Sequence, residues 1–160
     1  MEKVELIIIS PEDWQSLSEI AKIESEAFSG DGLTPANLVL MAKAGFVFGL
    51  RKESKIIAEA IVIHTFAQDA CFLFSFAVGS HFRKQGIGKL FLRLICNYLS
   101  RKGLSSIELT VSPENLPAVS LYIDKFGFEK MHFGKDYLGP GHDRLILRKI
   151  LERGKLGVRS

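Results

Sequence analysis

Apolar positions in this chain recur with two rhythms, and their alternation predicts its elements. Ile87, Leu90, Phe91, Leu94, Ile95, Tyr98 and Leu99 stand three and four apart, the spacing of one helix face, and Gly103 supplies the stop. β-rich runs cover Phe46 to Arg51, Lys55 to Thr65 and Ala70 to Val78. They are broken by Lys52-Glu53-Ser54 and Ala67-Gln68-Asp69, which predicts a three-stranded antiparallel meander. Ahead of them, Glu5 to Ile9 reads as a strand, and Ser10-Pro11-Glu12-Asp13 reads as the N-cap, first-turn proline and acids of a helix. That helix runs to about Phe28, with Trp14, Leu17, Ala21 and Phe28 toward the core. Gly30-Asp31-Gly32 ends it, and Thr34-Pro35 caps a short helix that carries Leu38, Met41 and Ala42 up to Gly45. Beyond the long helix come a strand at Ser106 to Val111, a helix at Pro117 to Lys125, and closing strands at Phe128 to Phe133 and Arg144 to Ile150. The expected fold class is α+β, a mixed central sheet of about seven strands flanked by about four helices.

No repeat, low-complexity block or proline-rich linker divides the 160 residues, so residues 1–160 are expected to form one domain. A basic tail from about residue 152, with Arg153, Lys155 and Arg159, is expected to be solvated and frayed. At 47% hydrophobic and 24% charged residues, the composition excludes a disordered chain. The net charge of +3 suits a phosphate-bearing ligand without demanding nucleic acid. Cys71 and Cys96 lie inside apolar runs with no CxxC, which predicts buried, reduced thiols. Neither a signal-peptide core nor an apolar run of membrane-spanning length occurs, so the expected setting is cytoplasmic, without a membrane partner. His64, His81, His132 and His142 have no metal-ligand spacing, and no metal is expected.

The candidate chemistry begins at Arg83-Lys84-Gln85-Gly86-Ile87-Gly88, between a strand and the strongest helix. A basic, glycine-bearing turn entering a helix can hold a pyrophosphate, because N–H groups at the helix start point outward and glycine permits close backbone approach. Spacing removes two other phosphate motifs. A dinucleotide fingerprint would need glycine at Phe91, and a P-loop would need glycine at Arg83 and Ser or Thr at Leu90. A tight turn before a helix, with no ligand, is the plain alternative.

Phe76-Ala77-Val78 followed by Arg83 to Leu90 resembles the signature of the GNAT acetyltransferase superfamily, R/Q-x-x-G-x-G/A. Val111-Ser112-Pro113-Glu114-Asn115-Leu116-Pro117-Ala118 and Leu121 to Glu129 resemble two further segments, V-x-x-x-N-x-x-A and L-Y-x-x-x-G-F, in the same order. These motifs cover roughly residues 75 to 130. The resemblance implies acetyl-CoA as cosubstrate and a primary amine as acceptor. It implies that Phe76, Ala77 and Val78 pair with the pantetheine arm, and that Arg83, Lys84, Gln85, Gly86, Ile87, Gly88 and Lys89 hold the pyrophosphate. It further implies that Asn115 hydrogen-bonds near the cofactor arm and that Tyr122 protonates the departing thiolate. Read singly, Asn115 is a cap or turn residue and Tyr122 a core aromatic.

The pattern departs from the N-terminal acetyltransferase branch, which carries a glutamate base where Thr110 stands here. Cys71 to Ser75, where other branches place a glutamate, has no carboxylate, so no base is assigned. An α-amine of pKa about 8 is roughly a tenth neutral at pH 7, whereas a lysine amine needs about 4.6 kcal/mol to deprotonate. A missing base therefore favours a protein or peptide N-terminal α-amine, with Glu24, His64, Asp69 and Ser75 as candidates for orienting a water. Tyr137 and Gly141-His142-Asp143 resemble the loop that borders the acceptor in that branch. Acetylation of a small amine, or a CoA-binding module without catalysis, are the alternatives, and the oligomeric state is left open.

Overall fold

A computed structural model describes residues 3–152. The tail expected to fray lies, from residue 153 on, outside the described residues. Along the chain run β1 (Val4–Ile8), α1 (Trp14–Ala27), α2 (Pro35–Ala44), β2 (Gly45–Lys52), β3 (Lys55–His64), β4 (Ala70–Val78), α3 (Ile87–Arg101), β5 (Ser106–Val111), α4 (Leu116–Val119), β6 (Glu129–Gly134) and β7 (Arg144–Ile150). The sheet order is β1-β2-β3-β4-β5-β7-β6, mixed as expected: β4 and β5 are parallel, registered over Ala70–Phe72 against Ser106–Glu108. β7 enters between β5 and β6, an ordering that the sequence pattern did not specify.

Two compact units divide the chain, one of residues up to 64 with 73–96, the other of residues 65–72 with those from 97 on. In the first, Leu17, Ile20 and Ile23 of α1 and Leu38 of α2 pack on Val47, Ile56, Ile61 and Ala77 of β2, β3 and β4. In the second, alternate residues Ile107, Leu109 and Val111 of β5 are buried, with Phe128, Ile146 and Leu147.

Three expectations about local structure are corrected. α1 starts three residues later than Ser10-Pro11 suggests: Ser10 Oγ donates to the Glu12 carboxylate, and Asp13 caps the helix by accepting from Ser16 N at 3.1 Å. Trp14 and Phe28 are 57% and 43% exposed, standing at the two ends of α1 beyond the stripe that packs. The helix expected at Pro117 to Lys125 is one α-turn followed by a π-helical segment, Ser120–Lys125. Six residues are too few for apolar spacing to separate i→i+4 from i→i+5 winding. By contrast Thr34 caps α2 in a reciprocal box with Asn37, as its sequence suggests.

Candidate active site

In the first unit, β4 delivers Phe76, Ala77 and Val78 to the turn that enters α3, and the Phe76 ring stacks on Phe91 with centroids 5.5 Å apart. Lys84 has φ of 61° and Gly86 φ of 79°, so the turn twice enters the left-handed region. A Cβ added to Gly86 would meet no protein atom within 4 Å, so space beside the turn is open to a ligand. Leu90 N to Gly86 O, 3.1 Å, is the first helical hydrogen bond, which puts the amides of Ile87, Gly88 and Lys89 in the outward-pointing first turn. Arg83 does more than supply charge: its Nε donates to the Val78 carbonyl at 3.0 Å and ties the turn to the end of β4. Gln85 Nε2 likewise donates to His81 O at 3.2 Å. Lys52 and Lys55 each place Nζ 5.7 Å from the Phe82 ring centroid, adding cationic charge beside the segment that leads into the turn.

Asn115 and Tyr122 belong to the second unit. Asn115 caps α4, its side chain accepting from Ala118 N at 3.3 Å. Tyr122 lies on the π-helical segment, 7% exposed, with its ring edge-on to Phe128 at 5.5 Å. Thr110, at the position where the related branch has its glutamate, is gripped by Arg144: Nε donates to Thr110 Oγ1 at 3.1 Å and Nη2 to Thr110 O at 2.8 Å. Burial lowers the Arg144 pKa from its ordinary value, partly offset by the negative form of Tyr122, so that pair attracts. The 135–143 loop is braced by Asp136 and Asp143, which accept from Gly141 N and Asp136 N at 2.7 and 2.8 Å, and it presents an exposed Tyr137.

Of the four candidates for orienting water, the fold joins two. Glu24 and Ser75 meet in the core of the first unit, Ser75 Oγ donating to Glu24 Oε2. His64 instead lies against the Phe46 ring, and the Asp69 carboxylate accepts from Ser105 Oγ at 2.6 Å. The third member of the buried cluster, Glu59, was missed. It contacts Ser75 Oγ at 3.1 Å and is completely buried. A signal for it existed, since Glu59 is a lone charge midway through the apolar run Ile56 to Ile63. Desolvation raises its pKa well above 4.5. Its hydrogen bond and charge repulsion with Glu24 raise it further, against a smaller lowering by Ser75. Among the described residues no group of three or more His, Cys, Asp or Glu is placed to hold a metal ion, and no helix is long and apolar enough to cross a membrane.

A glycine-bearing turn at a helix start, fed by a strand that ends beside it, has the outward amides and open space to hold a phosphate-bearing ligand. The acetyltransferase (GNAT) family pattern matches residues 12–128, and the chain belongs to that family. The chain is 29% identical over 90 residues to the ribosomal protein bS18-alanine N-acetyltransferase of Escherichia coli strain K12, an alignment covering 56% of this chain and 59% of that protein. The chain thus spans about three-fifths of the length of that curated relative. The crystal structure of the E. coli ribosomal-protein-S18-alanine N-acetyltransferase superposes with a TM-score of 0.79 at 22% identity, covering 94% of this chain and 95% of that one. The PaiA N-acetyltransferase of Thermoplasma acidophilum, solved in complex with coenzyme A, superposes at 0.71 and 18% identity, covering 92% and 99%.

Proposed function

We propose that this chain, acting as one domain, transfers the acetyl group of acetyl-CoA to the α-amine at a protein or peptide N terminus, in the cytoplasm. The observation that carries the acceptor is the similarity to the bS18-alanine N-acetyltransferase, named for N-acetylating an alanine of ribosomal protein bS18; alanine's one amine is its α-amine, which is free only at a chain's N terminus. The donor reading rests on family membership and on the open, amide-lined turn at residues 84–89.

In this reading acetyl-CoA lies with its pantetheine arm along the backbone of Phe76, Ala77 and Val78, which follow the stretch where β4 is registered with β5. Its pyrophosphate sits on the amides from Lys84 to Lys89. The amine attacks the thioester carbonyl directly in a ternary complex, and a backbone N–H near Val78 stabilises the oxyanion. As the C–S bond breaks, Tyr122 gives its phenolic proton to the thiolate. Arg144 supports that step, since its charge stabilises the phenolate left behind. Asn115 shapes the segment carrying Tyr122 through its cap on α4. The loop with Tyr137 and His142 borders the acceptor.

Thiol release from acetyl-CoA, measured across peptides with an open N terminus, N-blocked peptides with an internal lysine, polyamines and amino acids, tests this. Turnover is expected on the open peptides, and Tyr122→Phe should lower kcat by about 10²-fold or more without weakening CoA binding. Comparable kcat/KM on internal lysines would refute the acceptor assignment. No turnover with any amine would make the chain a CoA-binding module.

A further inference from the structure

Glu24 from α1, Glu59 from β3 and Ser75 from β4 form a cluster whose protons do not balance as three ordinary groups. Ser75 Oγ touches both carboxyls, yet a hydroxyl has one proton to donate. Glu24 is further served by Leu33 N, which donates to its Oε1 at 3.0 Å. Glu59 has no such help: its Oε2 is buried and accepts from no donor among the described residues. What faces Glu59 is Glu24, and two carboxyls in contact need a shared proton. Glu24 of α1 is the charged group acting on Glu59 and Ser75 of β4 the hydroxyl; β2 offers Gly49 in register, and the core around that face takes Leu38 from α2 and Val47 from β2.

The cluster also has a direction. Relative exposure is 0% at Glu59, 2% at Glu24 and 8% at Ser75, so Ser75 is its least buried residue. Ser75 adjoins Phe76, the first of the three β4 residues assigned to the pantetheine arm, whose end carries the thioester. Buried polar groups with an odd proton count are retained against a stability cost, and they concentrate where protons move.

We propose that the Glu24–Ser75–Glu59 cluster is the proton acceptor of the transfer reaction, taking its proton from the acceptor amine through the Ser75 hydroxyl. This rests on the acetyl-transfer reading above. With Glu59 ionised, the ammonium form of the acceptor loses one N–H proton to Ser75 Oγ, while the Ser75 hydroxyl proton, turned from Glu24 Oε2, passes to Glu59 Oε1, leaving the neutral amine. The nitrogen lone pair then attacks the acetyl carbonyl, and Glu59 later returns its proton to water. Glu24 is a positioning residue: it holds Ser75 by hydrogen bond, and its charge makes Glu59 a stronger base than an ordinary carboxylate, which brings proton transfer from an α-amine closer to level.

The test has two arms. Infrared spectra of the unliganded protein, titrated with base, should show a protonated-carboxyl C=O band that Glu59→Gln removes. In parallel, kcat/KM is measured against pH on an open-N-terminus peptide, with CoA affinity measured by calorimetry. In wild type the acid limb is set by the cluster. In Glu59→Gln it should shift to the pKa of the amine itself, about 8, with about 10²-fold lower kcat/KM at neutral pH and unchanged CoA affinity. Ser75→Ala, which leaves both carboxyls in place, should move the limb in the same way and serves if Glu59→Gln fails to fold. Wild-type turnover with an acid limb that neither variant moves, or a missing carboxyl band, overturns this inference alone. Absence of wild-type turnover on every amine would overturn the acetyl-transfer reading and this one together.

Discussion

Replacing Glu59 by glutamine removes one titration from the folded protein, and stability against pH should show it without any substrate. Burial and the neighbouring Glu24 raise the folded Glu59 pKa well above 4.5, while in the unfolded chain Glu59 returns to an ordinary carboxylate. Between those two values the folded state binds the extra proton, so folding is favoured by low pH. The contribution is present in full below the ordinary carboxylate value and is lost as pH rises through the folded pKa. Within that window the loss runs at about 1.4 kcal/mol per pH unit. For a chain of this size it lowers the thermal midpoint by roughly 3–6 °C per pH unit. Glutamine has nearly the same shape and no proton to lose, so Glu59→Gln should gain on wild type steadily as pH rises, until Glu59 is fully ionised. Paired thermal melts by circular dichroism from pH 5 to pH 9, in matched buffers, read the difference. Parallel curves for the two proteins would show that Glu59 titrates like an ordinary carboxylate, and the reasoning about a shared buried proton would fail with it.

Two further predictions concern the donor site and the packing of β2. Reversing charge at Arg83 and Lys84 (R83E with K84E) should weaken CoA binding by about tenfold or more at low salt, a difference that shrinks at high salt as screening grows; equal affinity by calorimetry would undercut the pyrophosphate assignment. Gly45→Ala should destabilise by about 3 kcal/mol in urea melts, because an added Cβ would sit 2.0 Å from the Val62 carbonyl oxygen and 2.7 Å from Ile63 Cα, atoms of a paired strand that has little room to yield.

Local chemistry alone determined much of this protein. The helix at Ile87–Arg101, the cap at Thr34 and the meander through Val78 were legible because apolar spacing, capping side chains and polar breaks act between near neighbours in sequence. The glycine-bearing turn was legible for the same reason, since its backbone demands lie within six residues. What stayed hidden depends on partners distant in sequence. Asp13 displaced Ser10 as the cap through a turn whose geometry the residue types do not specify. Thr110 read as a missing glutamate until the fold brought Arg144, 34 positions away, onto its hydroxyl and carbonyl. The unassigned base is the sharpest case. Glu24 and Ser75 are 51 positions apart and Ser75 and Glu59 16, and no spacing rule links them. Only packing α1 against β3 and β4 takes these groups out of water, and loss of water is what makes two carboxyls and a hydroxyl share a proton.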